Sequence, residues 1–534
     1  SEPLIHFGYG IVTEVDSIKV IWPNGEIKKF TKVKTNQTLV LTANDGVTAI
    51  PHAKKQSRVL FERVDPKQLG LTYQHVEDSY TDFDRLKLLP YQQCDRGPAT
   101  ALGDINNDSL TDIYFGGSKF RPGQIFIQSE AGFRRSYINS ILKDSIKEDI
   151  DAIIEDFNKD GMADLFVGTG GADFFGKAKP LLDSYYMSSD SGFILIEPEG
   201  YYENASCIRQ FDFDKDGDVD LFVGNESVSN DFGNKPKSYL LINEKGKFTP
   251  FQKELFEGLG MVTDAIWHDY NNDGEVDLIV VGEWMKPTFL KRNKQGFERE
   301  DVISKNLNGL WQSILPFDID IDGDTDFILG NWGLNTKFKA STQNPMRMYY
   351  ADFDENGKSE TIIAIEKRGE YYPLDEFDLI AGQIPSLRKK FTTYHAFAGK
   401  HIEEVLSAAQ LKKAQLLEVH ELASGYLKSE NGKFEFFPFP LELQISPIMA
   451  LLKFDFDADK KEEVLLGGNY FGVQPFHGRY GSFSGAIIEG GGNILGADAL
   501  GLNFFNESVR HFNVISIMNN DYLIVTINNG DVQI

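Results

Sequence analysis

A nine-residue pattern of oxygen-bearing side chains recurs seven times along the chain, and no other feature restricts the fold as strongly. An acid stands at positions 1 and 9, an acid or Asn at position 3, and an acid (once Asn) at position 5. The first copy is Asp104, Asn106, Asp108 and Asp112; the second is Asp156, Asn158, Asp160 and Asp164. Asp212, Asp214, Asp216 and Asp220 make the third, and Asp269, Asn271, Asp273 and Asp277 the fourth. The fifth is Asp318, Asp320, Asp322 and Asp326. Two looser copies complete the series: Asp352, Asp354, Asn356 and Glu360, then Asp455, Asp457, Asp459 and Glu463. A tight loop turning around a hard cation presents alternate side chains inward, so oxygens at 1, 3 and 5 converge and the carboxylate at 9 closes the shell. Six to eight oxygens at roughly 2.3–2.6 Å suit Ca²⁺, whereas Mg²⁺ asks for a stricter octahedron. All 28 residues are therefore candidate metal ligands, for up to seven structural calcium ions. Position 6 is Gly161, Gly217, Gly274, Gly323 or Gly357, which eases the turn; Ser109 and Lys460 replace it in the first and seventh copies.

The residues after position 9 separate these loops from EF-hands. An EF-hand needs a bidentate Glu at position 12 and flanking helices, but position 12 is Val223 in the third copy and Leu329 in the fifth. Short apolar runs come instead, such as Leu165-Phe166-Val167 and Phe327-Ile328-Leu329, closed by Gly168 and Gly330. Such runs read as buried strands. Motif starts lie 52, 56, 57, 49, 34 and 103 residues apart, and about 50 residues is one four-stranded propeller blade. The fold class expected is all-β: a calcium-binding β-propeller of seven blades at 58–534, with a helical insertion at about 366–440 and a small β module at 1–57. The insertion is expected to hold a helix over His401–Leu422, with an apolar stripe that includes Ile402, Val405, Leu416 and Val419. Asp16–Trp22, the turn signal Pro23-Asn24-Gly25 and Glu26–Phe30 read as a hairpin, and His52–Ser57 as a basic linker.

Charge agrees with a cation-binding role. The net charge is −26, and 24 of the 80 acids stand in the motifs, so seven bound Ca²⁺ would bring the formal charge to −12. A surface this acidic repels phosphate backbones, so nucleic acid is not an expected partner. No apolar stretch is long enough for a transmembrane segment, and Ser1–His6 has neither part of a signal peptide. Cys94 and Cys207 are too few for a disulfide framework, and whether they pair is open.

Beyond spacing, the acid loops with their strand and Gly resemble the FG-GAP/VCBS repeats of integrin-alpha-type β-propellers. Residues 5–42, with His6-Phe-Gly-Tyr-Gly10, Val15–Gly25 and Asn36-Gln-Thr-Leu39, resemble the ASPIC/UnbV module of cartilage-acidic-protein-like proteins. Further likenesses to Bacteroidetes-type VCBS proteins are Gly282-Glu-Trp-Met285, Gly330–Asn335, Gln383–Phe391 and Gly478-Arg-Tyr-Gly481. The resemblance implies an exported protein at the cell surface or outer membrane, the C-terminal part of a longer parent. It also implies partners: a TonB-dependent transporter and a surface lipoprotein.

Catalysis is not expected, and no catalytic or organic-cofactor residue is assigned. No Gly-x-Ser-x-Gly elbow occurs, His420-Glu421 lacks a second zincin His, and Glu489–Gly496 lacks the Lys-Ser/Thr of a phosphate loop and reads as a hairpin. Trp267, Trp284, Trp311 and Trp332 are candidates for stacking on a glycan, or else for packing between blades. Arg388-Lys389-Lys390 is a candidate docking cluster or a solvated face, and His268 is expected to be structural because Ca²⁺ prefers oxygen. The function expected is a non-catalytic surface scaffold serving a transporter complex. A free glycan-binding adhesin and a polysaccharide-degrading enzyme are the alternatives.

Overall fold

The computed structural model describes residues 5–21, 27–41, 59–189, 192–197, 200, 202–430, 432–518 and 520–534. It divides into two compact units, Ser1–Val59 and Leu60–Ile534. In the first, strands Glu14–Ile21 and Ile27–Lys34 form an antiparallel hairpin, in register from Glu14 opposite Lys34 to Ile21 opposite Ile27. The expected turn Pro23-Asn24-Gly25 and the linker His52–Ser57 lie outside the described residues.

The second unit is a succession of small antiparallel sheets. Strands Thr100–Gly103, Asp112–Phe115, Gln124–Ser129 and Gly132–Ser136 make the first, each paired with the next. Sheets begun by Glu148–Glu155, Asn204–Phe211, Met261–His268 and Ile448–Phe454 repeat the plan. In all five, the acid loop joins the first strand to the second. The second strand is buried throughout, with an apolar run after its leading acid, because it is covered on both sides; its alternate side chains enter two different cores. Leu165 and Val167 meet Tyr114 and Ile125 of the first sheet, while Phe166 meets Leu221 and Val223 of the third. Among the described residues, seven such clusters join each sheet to the next. The last joins Ile515 and Ile524, on the two-stranded sheet Ser508–Ile517 and Asn520–Asn528, to Ile113 and Phe115 of the first. A hydrogen bond of 2.7 Å between the Thr100 and Thr526 hydroxyls spans the same seam. This is a propeller-like closure, in which no sheet keeps an open face.

Motifs and sheets of the ring do not correspond one to one. The sheet at 508–528 carries no acid loop. The sixth motif lies in a four-stranded sheet inserted into the fifth sheet of the ring. That fifth sheet pairs Ser313–Phe317, Asp326–Gly330, Gly425–Glu430 and Lys433–Pro438, so the chain leaves it after Gly330 and returns at Gly425. The interruption therefore spans 331–424, not 366–440, and this explains the 34-residue spacing. Nor is His401–Leu422 one helix. Short helices Ile402–Val405 and Ala408–Lys413 are followed by strand Gln415–Val419, which pairs with Met346–Tyr350. Leu416 and Val419 fit a helical stripe by coincidence of spacing. Cys94 and Cys207 are both free and buried.

Candidate metal centres

Every acid loop repeats one hydrogen-bonding scheme. The first acid accepts the backbone N–H of position 6 in all seven loops, at 2.7–3.1 Å. The side chain at position 5 accepts the N–H of position 7 at 2.8–3.0 Å. These bonds coil the backbone so that positions 4 and 6 are both left-handed: Asn272 has φ 56° and Gly274 φ 86°, for example. The ninth acid is buried and ties the loop to the sheet. Asp220 accepts from Phe213 N at 2.9 Å and from Asn243 N, on the third strand, at 2.8 Å. Asp326 does the same with Ile319 N and Ser429 N at 3.2 and 2.8 Å.

The donor set fits a hard cation. Carboxylate oxygens come within 4.8 Å of one another in four loops: Asp212, Asp214 and Asp220; Asp318, Asp320 and Asp326; Asp352, Asp354 and Glu360; and Asp455, Asp457, Asp459 and Glu463. Asp212 Oδ1 and Asp354 Oδ1 are buried without a hydrogen-bond partner among the described residues. Burial pushes Asp220, Asp277 and Asp326 up to about 6 and Glu360 to about 7, and the other carboxylates of each loop add to the rise. A bound divalent ion would remove that repulsion. Asp216 and Asp322 stand outside these groups. In the first, second and fourth loops Asn106, Asn158 and Asn271 replace an acid, and each accepts the N–H of position 5 through Oδ1. The seventh loop gathers four acids despite Lys460 at its turn.

The ASPIC and UnbV family matches residues 1–48. The FG-GAP-like repeat family matches residues 212–280, which run from the third acid loop through the fourth. The chain therefore carries a stretch similar to the ASPIC and UnbV module and a stretch similar to an FG-GAP-like repeat. No curated protein matches it in sequence. Among solved structures it is similar to the Vibrio cholerae biofilm matrix protein Bap1, at 12% identity over 87% of this chain and 90% of that one, with a TM-score of 0.39. Saccharomyces cerevisiae Sqt1 is similar at 11% identity over 84% and 98%, with a TM-score of 0.37.

Around the acid loops, the other singled-out residues take ordinary roles. Trp284, Trp311 and Trp332 are buried between elements and Trp267 is half-buried against Phe211, so packing accounts for all four. Glu489–Gly496 is the hairpin joining Ala486–Glu489 to Asn493–Gly496. Arg388, Lys389 and Lys390 are exposed at the end of helix Leu387–Lys390, where Arg388 pairs with Asp378 at 3.2 Å. His268 is half-buried with its ring edge-on to Phe327.

Sequence reasoning missed a buried polar layer on the axis of the ring. Arg96 lies there, 3.0 Å from Glu226, 2.9 Å from Glu283, and donating to Gln312 Oε1 at 2.9 Å. Gln312 donates to Glu283 at 2.8 Å, and Tyr91 to Glu283 at 2.5 Å. The Arg96 guanidinium also lies over the Tyr91 and Tyr470 rings, at 5.5 and 5.2 Å. Glu283 and Gln312 stand 187 and 216 residues beyond Arg96 in the chain, so no local pattern marks the layer. The one signal was Glu283 within Gly282-Glu-Trp-Met285, an acid interrupting the apolar run that follows Asp277.

Proposed function

We propose that this chain is a non-catalytic, calcium-stabilised interaction scaffold exposed at the cell surface. The observation that carries the metal reading is the convergence of carboxylate oxygens in four loops of one geometry, two of them holding an orphaned buried oxygen. In each, the residues that would hold Ca²⁺ are the acids at positions 1 and 3 with the acid at 9, joined by Asp459 in the seventh. A bound ion supplies charge neutralisation that pins the first two strands of a sheet together. Extracellular calcium modules work with Kd values of about 10⁻⁴–10⁻³ M, which suits a rigid scaffold better than a switch. EDTA is expected to lower the Tm and Ca²⁺ to restore it by mass action; an unchanged melt would refute structural metal.

The specific role proposed is an accessory subunit of an outer-membrane transporter and lipoprotein complex. The ASPIC and UnbV module together with the FG-GAP-like repeats supports it through the family resemblance. Purification from native membranes in Ca²⁺ and mild detergent should yield a stoichiometric transporter or lipoprotein chain by mass spectrometry. A solitary protein would overturn that role and favour a free adhesin.

A further inference from the structure

The axial polar layer floors a cavity of about 280 Å³, far above the ~15 Å³ that one water needs. Its construction is repeated around the ring. The inner strands of five sheets each carry a β-bulge, and the extra residue is Ile150, Ser206, Thr263, Met449 or Arg510. All five line the cavity. A bulge leaves one residue out of the ladder, and here the same device sets five such residues around one space. The walls run from Arg96, Glu226 and Gln312 at the floor to Leu315, Leu451 and Phe512, farther along the inner strands.

Three polar atoms at this cavity have no hydrogen-bond partner among the described residues: Arg510 Nε, Glu226 Oε1, and Arg96 Nε, the last held only in an ion pair. Arg510 is 7% exposed and donates Nη2–H to the Asp95 carbonyl at 3.0 Å, yet its Nε–H has no protein acceptor among the described residues. Glu226 is 2% exposed, and its Oε1 has no donor among them, although Oε2 lies 3.0 Å from Arg96 Nε. Orphaned groups this buried are costly unless something meets them. Charge decides the class of occupant. Three arginines line the cavity, and so do three acids: Arg209 contacts both Asp151, at 2.8 Å, and Asp264. Arginines and acids are equal in number, so no excess of carboxylates draws a cation, and Glu226, which burial raises to about 8, can meet a hydroxyl in either protonation state. The lining offers the Arg510 Nε–H as a free donor, Glu226 Oε1, the acceptor lone pairs of the Ser206 and Thr263 hydroxyls, whose protons go to the Val262 and Trp311 carbonyls, and an apolar wall.

We propose that the axial cavity binds a neutral polyhydroxylated ligand, one sugar unit of a saccharide. Its hydroxyls meet both the Arg510 Nε–H and Glu226 Oε1, while its C–H face lies on Leu315, Leu451 and Phe512. Such a site is independent of the scaffold role, since a transport subunit and an adhesin can each hold a sugar here.

The test is a titration of the intact chain in Ca²⁺ with galactose, mannose, glucose, cellobiose and lactose, followed by calorimetry and by ligand-observed NMR. Glucuronate and inorganic phosphate serve as anionic probes. At least one neutral saccharide should bind in the millimolar range or tighter. Met449→Trp, which fills the cavity from a bulge position, should weaken it at least tenfold without lowering the Tm. Glu226→Gln should do the same if it folds; Met449→Trp, which removes no partner of Arg96, carries the test if it does not. No binding by any neutral saccharide at about 10 mM, binding by the anions alone, or unchanged binding in Met449→Trp would each overturn the proposal.

Discussion

Position 4 of each acid loop is as constrained as position 6, although only position 6 is marked by glycine. All seven residues at position 4 are left-handed: Asn107, Lys159, Lys215, Asn272, Ile321, Glu355 and Ala458. At position 6 a Cβ on any of the five glycines would meet no atom within 4 Å, so glycine is there for its backbone and not for space. Ser109 at φ 68° and Lys460 at φ 71° adopt the same conformation against their Cβ. A β-branched residue at positive φ is the most strained case, and Ile321, at φ 62° and 65% exposed, is that residue. Ile321→Asn is expected to stabilise the protein by about 1 kcal/mol, read as a higher midpoint in urea unfolding. A neutral or lower midpoint would mean that the Ile321 side chain gains more from covering Gly490 and Gly491 than its backbone loses.

The loop as an element joins sequence and structure most closely, and this is why the metal candidates were legible. Their chemistry is local: nine residues supply the acids, the turn and the entry to the next strand. The scheme of N–H donors to positions 1 and 5 explains the spacing without reference to the rest of the chain. The ninth acid was legible as a candidate ligand but not as a tie to the third strand, because Asn243 and Ser429 lie 23 and 103 residues away. Insertion limits were equally hidden, since the return strand Gly425–Glu430 is identified only by its pairing with Phe327–Leu329. The same ninth acids give a pH signature. Asp220, Asp277 and Asp326 reach about 6 in the folded chain against an ordinary 3.8. The folded state then holds protons more tightly than the unfolded one. Stability of the metal-free protein is therefore fullest below about pH 4 and declines as pH rises to about 6. Solvent screening holds the effect to on the order of 1 kcal/mol per loop. Melting curves in EDTA should show that decline across pH 4 to 7, and curves in Ca²⁺ should not, because the ion favours the ionised form. A parallel pH dependence with and without Ca²⁺ would separate these acids from any metal.

At the scale of the whole second unit, the insertion is built into the core. Trp332 stacks on Tyr91 with centroids 4.5 Å apart and meets Tyr470 and Tyr480 edge-on at 5.5 and 5.4 Å. Around them Met346, Met348, Ile363 and Val419 of the inserted sheet share one apolar cluster with Trp284 and Leu310 of the ring. Tyr91 also donates to Glu283, so Trp332 of the insertion stacks on a residue of the axial polar layer. An appended module would leave such a cluster divided in two, each half with its own apolar surface. Here neither half is complete alone, and removal of 331–424 exposes Tyr91, Trp284, Leu310 and Tyr470 together. The insertion and ring should consequently unfold in one calorimetric transition. Deleting 331–424 with a short Gly-Ser bridge should give aggregation or a broad, non-cooperative melt. Trp332→Ala should cost about 3–5 kcal/mol and lower the Tm of that single transition. A deletion variant that stayed soluble with an unchanged Tm, or a wild-type scan with two resolved transitions in which Trp332→Ala moved only one, would show an independent module. This bears on how partners are mapped. Because deletion is expected to damage the ring, the insertion's role in docking is better tested by charge reversal at exposed Arg388, Lys389 and Lys390, which leaves the shared cluster intact.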